Sequence, residues 1–357
     1  MSAPAIVANK AIKRAASDDN SRPLILTMGD PAGIGPDISA EAWARRIDED
    51  LPPFVVVGDA GLIEARAKAL GLAVPVVSVQ SPNEASRIFS DALGVLHQDL
   101  PGDVVPGRPN RAAATGAINA IEVAVRHVQS GEARAIVTNP INKKQLYEAG
   151  FPYPGHTEFL GALATSSDNS SAPIMMLVSN ELKVVPATIH IPLNDVASSL
   201  SRSLISQIII GTAHGLKRCF GICEPRIAVA GLNPHAGEDG AMGSEEIDVI
   251  APAIKDARAM GLDVTGPHAA DTLFSAQSRT TYDAAVAMYH DQALIPIKTL
   301  AFERAVNLTM GLPFVRTSPD HGTAYAIAGS GQASALSLIE AIKLADRVAI
   351  QQMATPA

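Results

Sequence analysis

Leu24-Ile25-Leu26-Thr27-Met28-Gly29-Asp30-Pro31-Ala32-Gly33-Ile34-Gly35-Pro36 is the stretch that decides the fold class. It opens on an apolar run of strand length, passes through a turn rich in glycine and proline, and ends on a proline suited to the first turn of a helix. Strand Leu24–Met28, tight turn and helix Pro36–Arg46 make the first half of a βαβ unit. The alternation continues outward from there. Phe54–Val57 and Val74–Val79 read as strands. Asn110–Gln129 sets Ile118, Ile121, Val125 and Val128 at helical spacing, which buries one face. Ala135–Thr138 is a short strand closed by Asn139-Pro140. Ile174–Val178 and Val184–Thr188 are further strands, followed by helix Leu204–Leu216, strand Arg226–Gly231, strand Ala284–Tyr289 and a closing helix Ser334–Ile350. Ser244 is placed to cap a helix with Glu245 and Glu246 at its positive end and Ile247, Ile250 and Ile254 as its apolar stripe. The class is α/β, in two domains of mostly parallel sheet with flanking helices and a cleft between them. Residues 22–135 with about 300–357 are expected to form the first domain, about 136–299 the second, and 1–21 a flexible tail.

Composition narrows the function. The 357 residues are 47% hydrophobic and 18% charged, which suits a large core, and with only 4% aromatics that core must be built from Ala, Val, Ile and Leu. A formal net charge of -8 argues against a nucleic-acid partner, since phosphate backbones require clustered Lys and Arg. It leaves room for a small anion in a local basic pocket. Cys219 and Cys223 form a lone CxxxC with no second pair at zinc-finger spacing, so a reduced pair is expected. No apolar run reaches the ~18 residues of a membrane span, and no apolar core of a secretory signal is present, so the expected location is cytoplasmic.

Three histidines stand where strands end: His190 in Thr188-Ile189-His190-Ile191-Pro192, His235 in Asn233-Pro234-His235-Ala236-Gly237 and His290 in Met288-Tyr289-His290-Asp291-Gln292. Strand ends in open α/β sheets face the ligand crevice. Three neutral imidazoles with an open position make a site for a divalent ion, which lowers the pKa of a bound hydroxyl. No HxxxH spacing accompanies them, and a single such histidine is more often a hydrogen-bonded structural group. His156 and Thr157 open an apolar segment where a helix start would expose amides to an anion. Lys298, Arg304 and Arg316 lie in a largely apolar stretch, where a cation off the solvated surface requires an anion. The Gly29–Pro36 turn does not match GxGxxG, and neither Walker A nor GxSxG occurs, so a Rossmann-type nucleotide site is not supported.

Several segments taken together carry a resemblance. The Leu26–Pro36 run, Pro154-Gly155-His156-Thr157-Glu158-Phe159, Gly231-Leu232-Asn233-Pro234-His235-Ala236-Gly237-Glu238, Met288–Gln292, and the segment from Gly311 to Ala324 are similar to the 4-hydroxythreonine-4-phosphate dehydrogenase family. The similarity runs from about Arg22 to Ile350. It implies a fold like that of isocitrate and isopropylmalate dehydrogenases, and a homodimer with its active site at the subunit interface. It implies that His190, His235 and His290 hold a divalent ion (zinc, cobalt or magnesium), and that His156, Thr157, Lys298, Asn307 and Arg316 contact substrate. It implies NAD as cofactor, with NADP open, and His321 and Gly322 as cofactor contacts. The implied reaction oxidises 4-phosphooxy-L-threonine, and the β-keto acid then loses carbon dioxide to give 3-amino-2-oxopropyl phosphate. Lys298 would stabilise the oxygen that gains charge, while Asp271 and Asp291 are candidates for orienting metal ligands or relaying the proton. The segment Thr299–Val306 departs from the family pattern, and Glu303 adds a negative charge there. The alternatives are a sister dehydrogenase acting on 4-phospho-D-threonate, 4-phosphoerythronate or a cyclic diol acid, a hydrolase whose three histidines activate water, and a non-catalytic binding protein.

Overall fold

The computed structural model describes residues 22–354 apart from 149, 151, 154, 155 and 165–172, and the side chains of 111–113 and 156–158 also lie outside the described set. Its strands are β1 (Leu24–Thr27), β2 (Phe54–Gly58), β3 (Val76–Val79), β4 (Leu93–His97), β5 (Ile136–Thr138), β6 (Ile174–Val178), β7 (Lys183–Pro186), β8 (Arg226–Ala230), β9 (Asp263–His268), β10 (Ala284–Ala287), β11 (Val306–Met310) and β12 (Arg316–Pro319). They form one continuous sheet in the order β3-β4-β2-β1-β5-β12-β11-β6-β7-β10-β8-β9. The expected two sheets are therefore one. From β3 to β12 every pairing is parallel, and from β7 to β9 every pairing is parallel again. Antiparallel pairings of β11 with β12 and β6, and of β6 with β7, join the two halves, so the halves run in opposite senses.

Period-two alternation distributes the core. Leu24 and Leu26 face an apolar layer that spans the sheet and includes Ile209, Leu216, Leu338 and Ile342. Ile25 faces the other side, where the layer is divided. One cluster holds Val55, Ile121 and Val125, and a second holds Leu177, Val184, Ala285 and Ile297. Each fully buried aliphatic side chain stabilises by about 1.5–3 kcal/mol, so these layers fix the sheet firmly. The gap between the two clusters is where the cleft opens: Ile141 packs on one side of it and Leu294 on the other, and both line the cavity.

Element boundaries differ modestly from the sequence reading. Helix Arg202–Phe220 extends both ends of the expected Leu204–Leu216: the Ser201 hydroxyl accepts from the Leu204 amide at 3.1 Å and caps its start, and Gly221 in a left-handed conformation ends it. Helix Leu336–Ala354 packs on β12, β11, β5 and β1, bringing the chain's last segment back to its first strands. Ile250 and Ile254 are buried as expected, but Ile247 is exposed, because a π turn over Glu246–Ile250 precedes helix Ala251–Ala259 and rotates the stripe. Among the described residues no helix is long and apolar enough to cross a membrane. Cys219 is buried, Cys223 is exposed, and both are free; burial pushes the Cys219 thiol up.

Candidate active site

A cavity of about 450 Å³ opens at the junction of the two halves of the sheet. Arg316, at the start of β12, lies at its base and is 3% exposed. Its Nε and Nη2 donate to Thr138 Oγ1 at 3.1 and 2.6 Å, and its Nη1 donates to Thr309 Oγ1 at 2.9 Å. These partners are neutral hydroxyls, and among the described residues no carboxylate forms an ion pair with the guanidinium. Burial alone pulls its pKa down to about 10, so it stays charged at neutral pH. A buried cation held only by hydroxyls is costly, and an anionic ligand removes the cost. Asn307, on β11, lines the same cavity, and its Oδ1 is buried with no hydrogen-bond partner among the described residues.

Lys298, on helix His290–Ala301, reaches the cavity from the other side. Its Nζ lies 3.2 Å from Asp320 Oδ2 and donates to the Asp320 carbonyl at 3.1 Å. Burial pushes the Asp320 carboxyl up, against the opposing pull of Lys298. His321 follows directly. Burial pushes its pKa down, its Nδ1 lies 3.2 Å from the Gly322 carbonyl, and its buried Nε2 has no hydrogen-bond partner among the described residues. Gly322 lines the cavity beside it. The loop from Asp320 onward is tied to the Gly29–Pro36 turn. Ile34 N donates to the Thr323 carbonyl at 3.0 Å, and the Tyr325 hydroxyl donates to Asp30 Oδ2 at 2.5 Å. Beneath that turn, the buried Arg66–Asp37 pair, at 2.6 Å, holds Gly33 and Gly329 through further hydrogen bonds.

The three expected metal ligands occupy the carboxyl ends of three adjacent parallel strands, β7, β10 and β8. His190 follows β7, and the segment between is pinned by Ala187 N and Thr188 N donating to the carbonyls of Ala287 and Met288 at 2.8 and 3.2 Å. His290 begins the helix after β10. The two rings lie 5.9 Å apart between centroids, about the spacing of imidazoles converging on one ion. Asp291 Oδ1 stands 2.6 Å from His290 Nδ1, which leaves Nε2 as the lone-pair nitrogen, the usual arrangement for a ligating histidine. This donor set suits a divalent ion.

His235 is elsewhere. It follows β8 at the start of a left-handed turn and is 69% exposed at its side chain. Residues His235, Ala236, Gly237, Glu238 and Asp239 have φ of 52°, 54°, 80°, 43° and 54°. Each non-glycine residue there costs about 1–2 kcal/mol, so the turn must be held by its surroundings. Among the described residues of one chain, no group of three His, Cys, Asp or Glu is placed to hold a metal. A single chain therefore brings together two of the three histidines. Asp271 is exposed on the short helix Ala270–Leu273, which packs against the turn carrying His235, and it does not line the cavity.

His156 and Thr157 begin helix His156–Ala164, but their side chains lie outside the described residues. Arg304 is on the surface and does not line the cavity, so the ordinary solvated-charge reading holds for it. Thr138, Asn139 and Asp320 line the cavity and were not singled out from sequence. Asn139 is fully buried and donates to the Thr27 carbonyl and Ser39 Oγ, both at 2.9 Å. The available signal was the end of strand β5, where ligand-facing residues collect.

A buried arginine without a carboxylate among the described residues, a lysine held over the same cavity and two facing histidines define an α/β enzyme cleft for a small anionic substrate. Comparison with known proteins gives the family. Residues 50–345 match the model of the pyridoxal phosphate biosynthetic protein PdxA. The chain is 52% identical over 337 residues to the 4-hydroxythreonine-4-phosphate dehydrogenase of Bradyrhizobium diazoefficiens, covering 92% of this chain and 97% of that one. It is 48% identical over 328 residues to the protein of that name from Xanthobacter autotrophicus, covering 92% and 93%. The crystal structure of a 4-hydroxythreonine-4-phosphate dehydrogenase from Klebsiella pneumoniae superposes with a TM-score of 0.80 at 39% identity, over 92% of this chain and 98% of that one. The chain belongs to the PdxA family.

Proposed function

We propose that the chain catalyses the NAD-dependent oxidation of 4-phosphooxy-L-threonine at its secondary hydroxyl, followed by loss of carbon dioxide to give 3-amino-2-oxopropyl phosphate, in a homodimer whose chains share each site. The observation that carries this reading is Arg316: a buried guanidinium, without an acidic partner among the described residues, lining the same cavity as the His190–His290 pair. Its forked donors match a phosphate. His156 and Thr157, at the start of their helix, are assigned to the same phosphate. Asn307 adds its amide to the substrate contacts. Anchoring the remote phosphate fixes the carbinol carbon and converts its oxidation into an oriented, effectively unimolecular step.

His190 and His290, with the partner subunit's His235, would hold a divalent ion (zinc, cobalt or magnesium), whose Lewis acidity lowers the pKa of the substrate hydroxyl and then polarises the ketone. Asp291 keeps the His290 ring in its ligating tautomer. Lys298, oriented by Asp320, holds a proton beside the oxygen that gains charge in both oxidation and decarboxylation. Asp271 shares the exposed face of His235 and on this reading serves the neighbouring site as a proton relay. His321 and Gly322 are assigned to the nicotinamide nucleotide, on a loop whose shape is set by the Tyr325–Asp30 and Arg66–Asp37 contacts.

The test is NADH formation by the purified protein with NAD, a divalent metal and 4-phosphooxy-L-threonine, run beside 4-phospho-D-threonate. Turnover of the threonine compound that stops on chelation is the expected result. Preference for the threonate would move the substrate to a sugar acid, and no turnover of either would reject the dehydrogenase reading.

A further inference from the structure

The turn that presents His235 is unusual in being left-handed through five successive residues, four of them not glycine. Local hydrogen bonds, such as Ala236 N to the Asn233 carbonyl at 3.1 Å and Met242 N to the Gly237 carbonyl at 3.0 Å, close it without explaining why it is stable. The explanation lies beneath it. Glu246 is 3% exposed, and its Oε1 accepts from the amides of both Leu232 and Asn233 at 2.7 Å. Its Oε2 accepts from Asn233 Nδ2 at 3.0 Å, and the same Nδ2 reaches Glu245 Oε2 at 2.6 Å. A Cβ at Gly231 would stand 3.0 Å from Glu246 Oε1, and one at Gly237 2.6 Å from its Oε2. The carboxylate thus touches the turn at its entry and again in its middle, and the glycines at both places leave room for it.

The same base is tied to the start of the His290 helix. Gln292 Nε2 donates to the Gly231 carbonyl at 2.8 Å, while Gln292 Oε1 accepts from Met288 N at 2.6 Å. The start of the His290 helix and the root of the His235 turn are thereby fixed to each other.

We propose that Glu246 is a positioning residue for metal binding: its buried carboxylate locks the left-handed turn so that His235 stands out from the surface in the one orientation that completes a partner's site. This rests on the reading of His235 as a shared metal ligand. Sequence alone places Glu246 at a helix start as a charge at the positive end, but the side chain turns back into the loop and serves the loop's amides instead.

Glu246→Gln conserves size but puts an NH2 group where an acceptor is needed, either against Asn233 Nδ2 or against the two amides. The measurement is Co2+ affinity by titration calorimetry, with the visible spectrum of the bound Co2+ as a second readout. Outer-shell changes of this kind typically weaken metal binding about 10–100-fold. The expected result is a loss in that range with an altered spectrum, turnover restored by excess metal, and unchanged affinity for inorganic phosphate in the metal-free protein. Wild-type Co2+ affinity and spectrum in Glu246→Gln would overturn the proposal. If that variant does not fold, Asn233→Ala removes only the side-chain link and is expected to weaken Co2+ binding severalfold; unchanged binding there would likewise overturn it. His235→Ala separates the two levels. If it keeps full Co2+ affinity, the ligand reading fails and the proposal falls with it; if it loses affinity while Glu246→Gln does not, only the positioning role fails.

Discussion

The base of the cleft and the turn after β8 are built in opposite ways. Arg316, Thr138 and Asn307 sit on or next to central strands, are buried or nearly so, and face one another within a single chain. His235 sits on a strained, exposed turn outside the cavity that His190 and His290 line, and among the described residues no metal-holding group of three forms in one chain. On the proposed reading the anion-binding residues lie within one chain, while the metal centre would need the partner subunit's His235. A site divided in this way couples chemistry to assembly: a monomer would still bind the substrate's anion but would lack the third imidazole.

The largest expected effect breaks the metal half. His290→Ala should lower kcat/KM by at least about a thousandfold, because Lewis-acid stabilisation is worth several kcal/mol. His235→Ala should do the same although its side chain touches nothing essential in its own subunit. Its unfolding free energy should stay within about 0.5 kcal/mol of the parent, as for other exposed positions. Retained turnover in either variant, measured with saturating NAD, would dismiss the triad.

Next in size is the anion half. Arg316→Met should raise the substrate KM by about 30- to 150-fold, the loss of about 2–3 kcal/mol from charge-assisted bonds to a buried anion. The same variant should be no less stable than the parent without ligand. Burial lowers the Arg316 pKa to about 10, a penalty on the folded state that is present at every pH below that value and fades as pH rises toward the unfolded one. Inorganic phosphate should raise the Tm of the parent and leave that of Arg316→Met unchanged. A clear loss of ligand-free stability in the variant would show that the arginine is structural.

The smallest effect is a pH response. The folded His321 pKa lies below the unfolded value of 6.5. The unfolded chain therefore takes up that proton first, and stability declines as pH falls below about 6.5. His321→Asn should flatten this part of the stability curve, read by denaturant unfolding between pH 7 and 5. An unchanged slope would mean that the imidazole is freely solvated.

The sequence made most of the parallel strands legible because their apolar runs are continuous and bounded by turns, as in Leu24-Ile25-Leu26-Thr27. It left β4, β9, β11 and β12 unread, and in the last two Asn307, Arg316, Thr317 and Ser318 put polar residues into central strands. Those strands are polar because they form the cleft, so what obscured the fold there is what builds the site. The three histidines were legible as strand-end residues, and the sheet order makes their strands neighbours. That His235 stands apart from the others is not written in any local pattern: it follows from five positive φ angles and from a carboxylate 11 residues away in sequence that stabilises them. Arg304 shows the converse, a cation in an apolar stretch that is simply on the surface.

The divided metal centre is the central claim, and subunit complementation tests it most directly. His190→Ala and His235→Ala proteins, each inactive alone, are mixed under conditions that exchange subunits. If His235 serves the partner's site, each hybrid dimer carries one site with both lesions and one intact site, and random exchange should restore about a quarter of the parent's activity. Failure to recover any activity, with exchange verified by differently tagged chains, would contradict the account and place all three ligands in one chain.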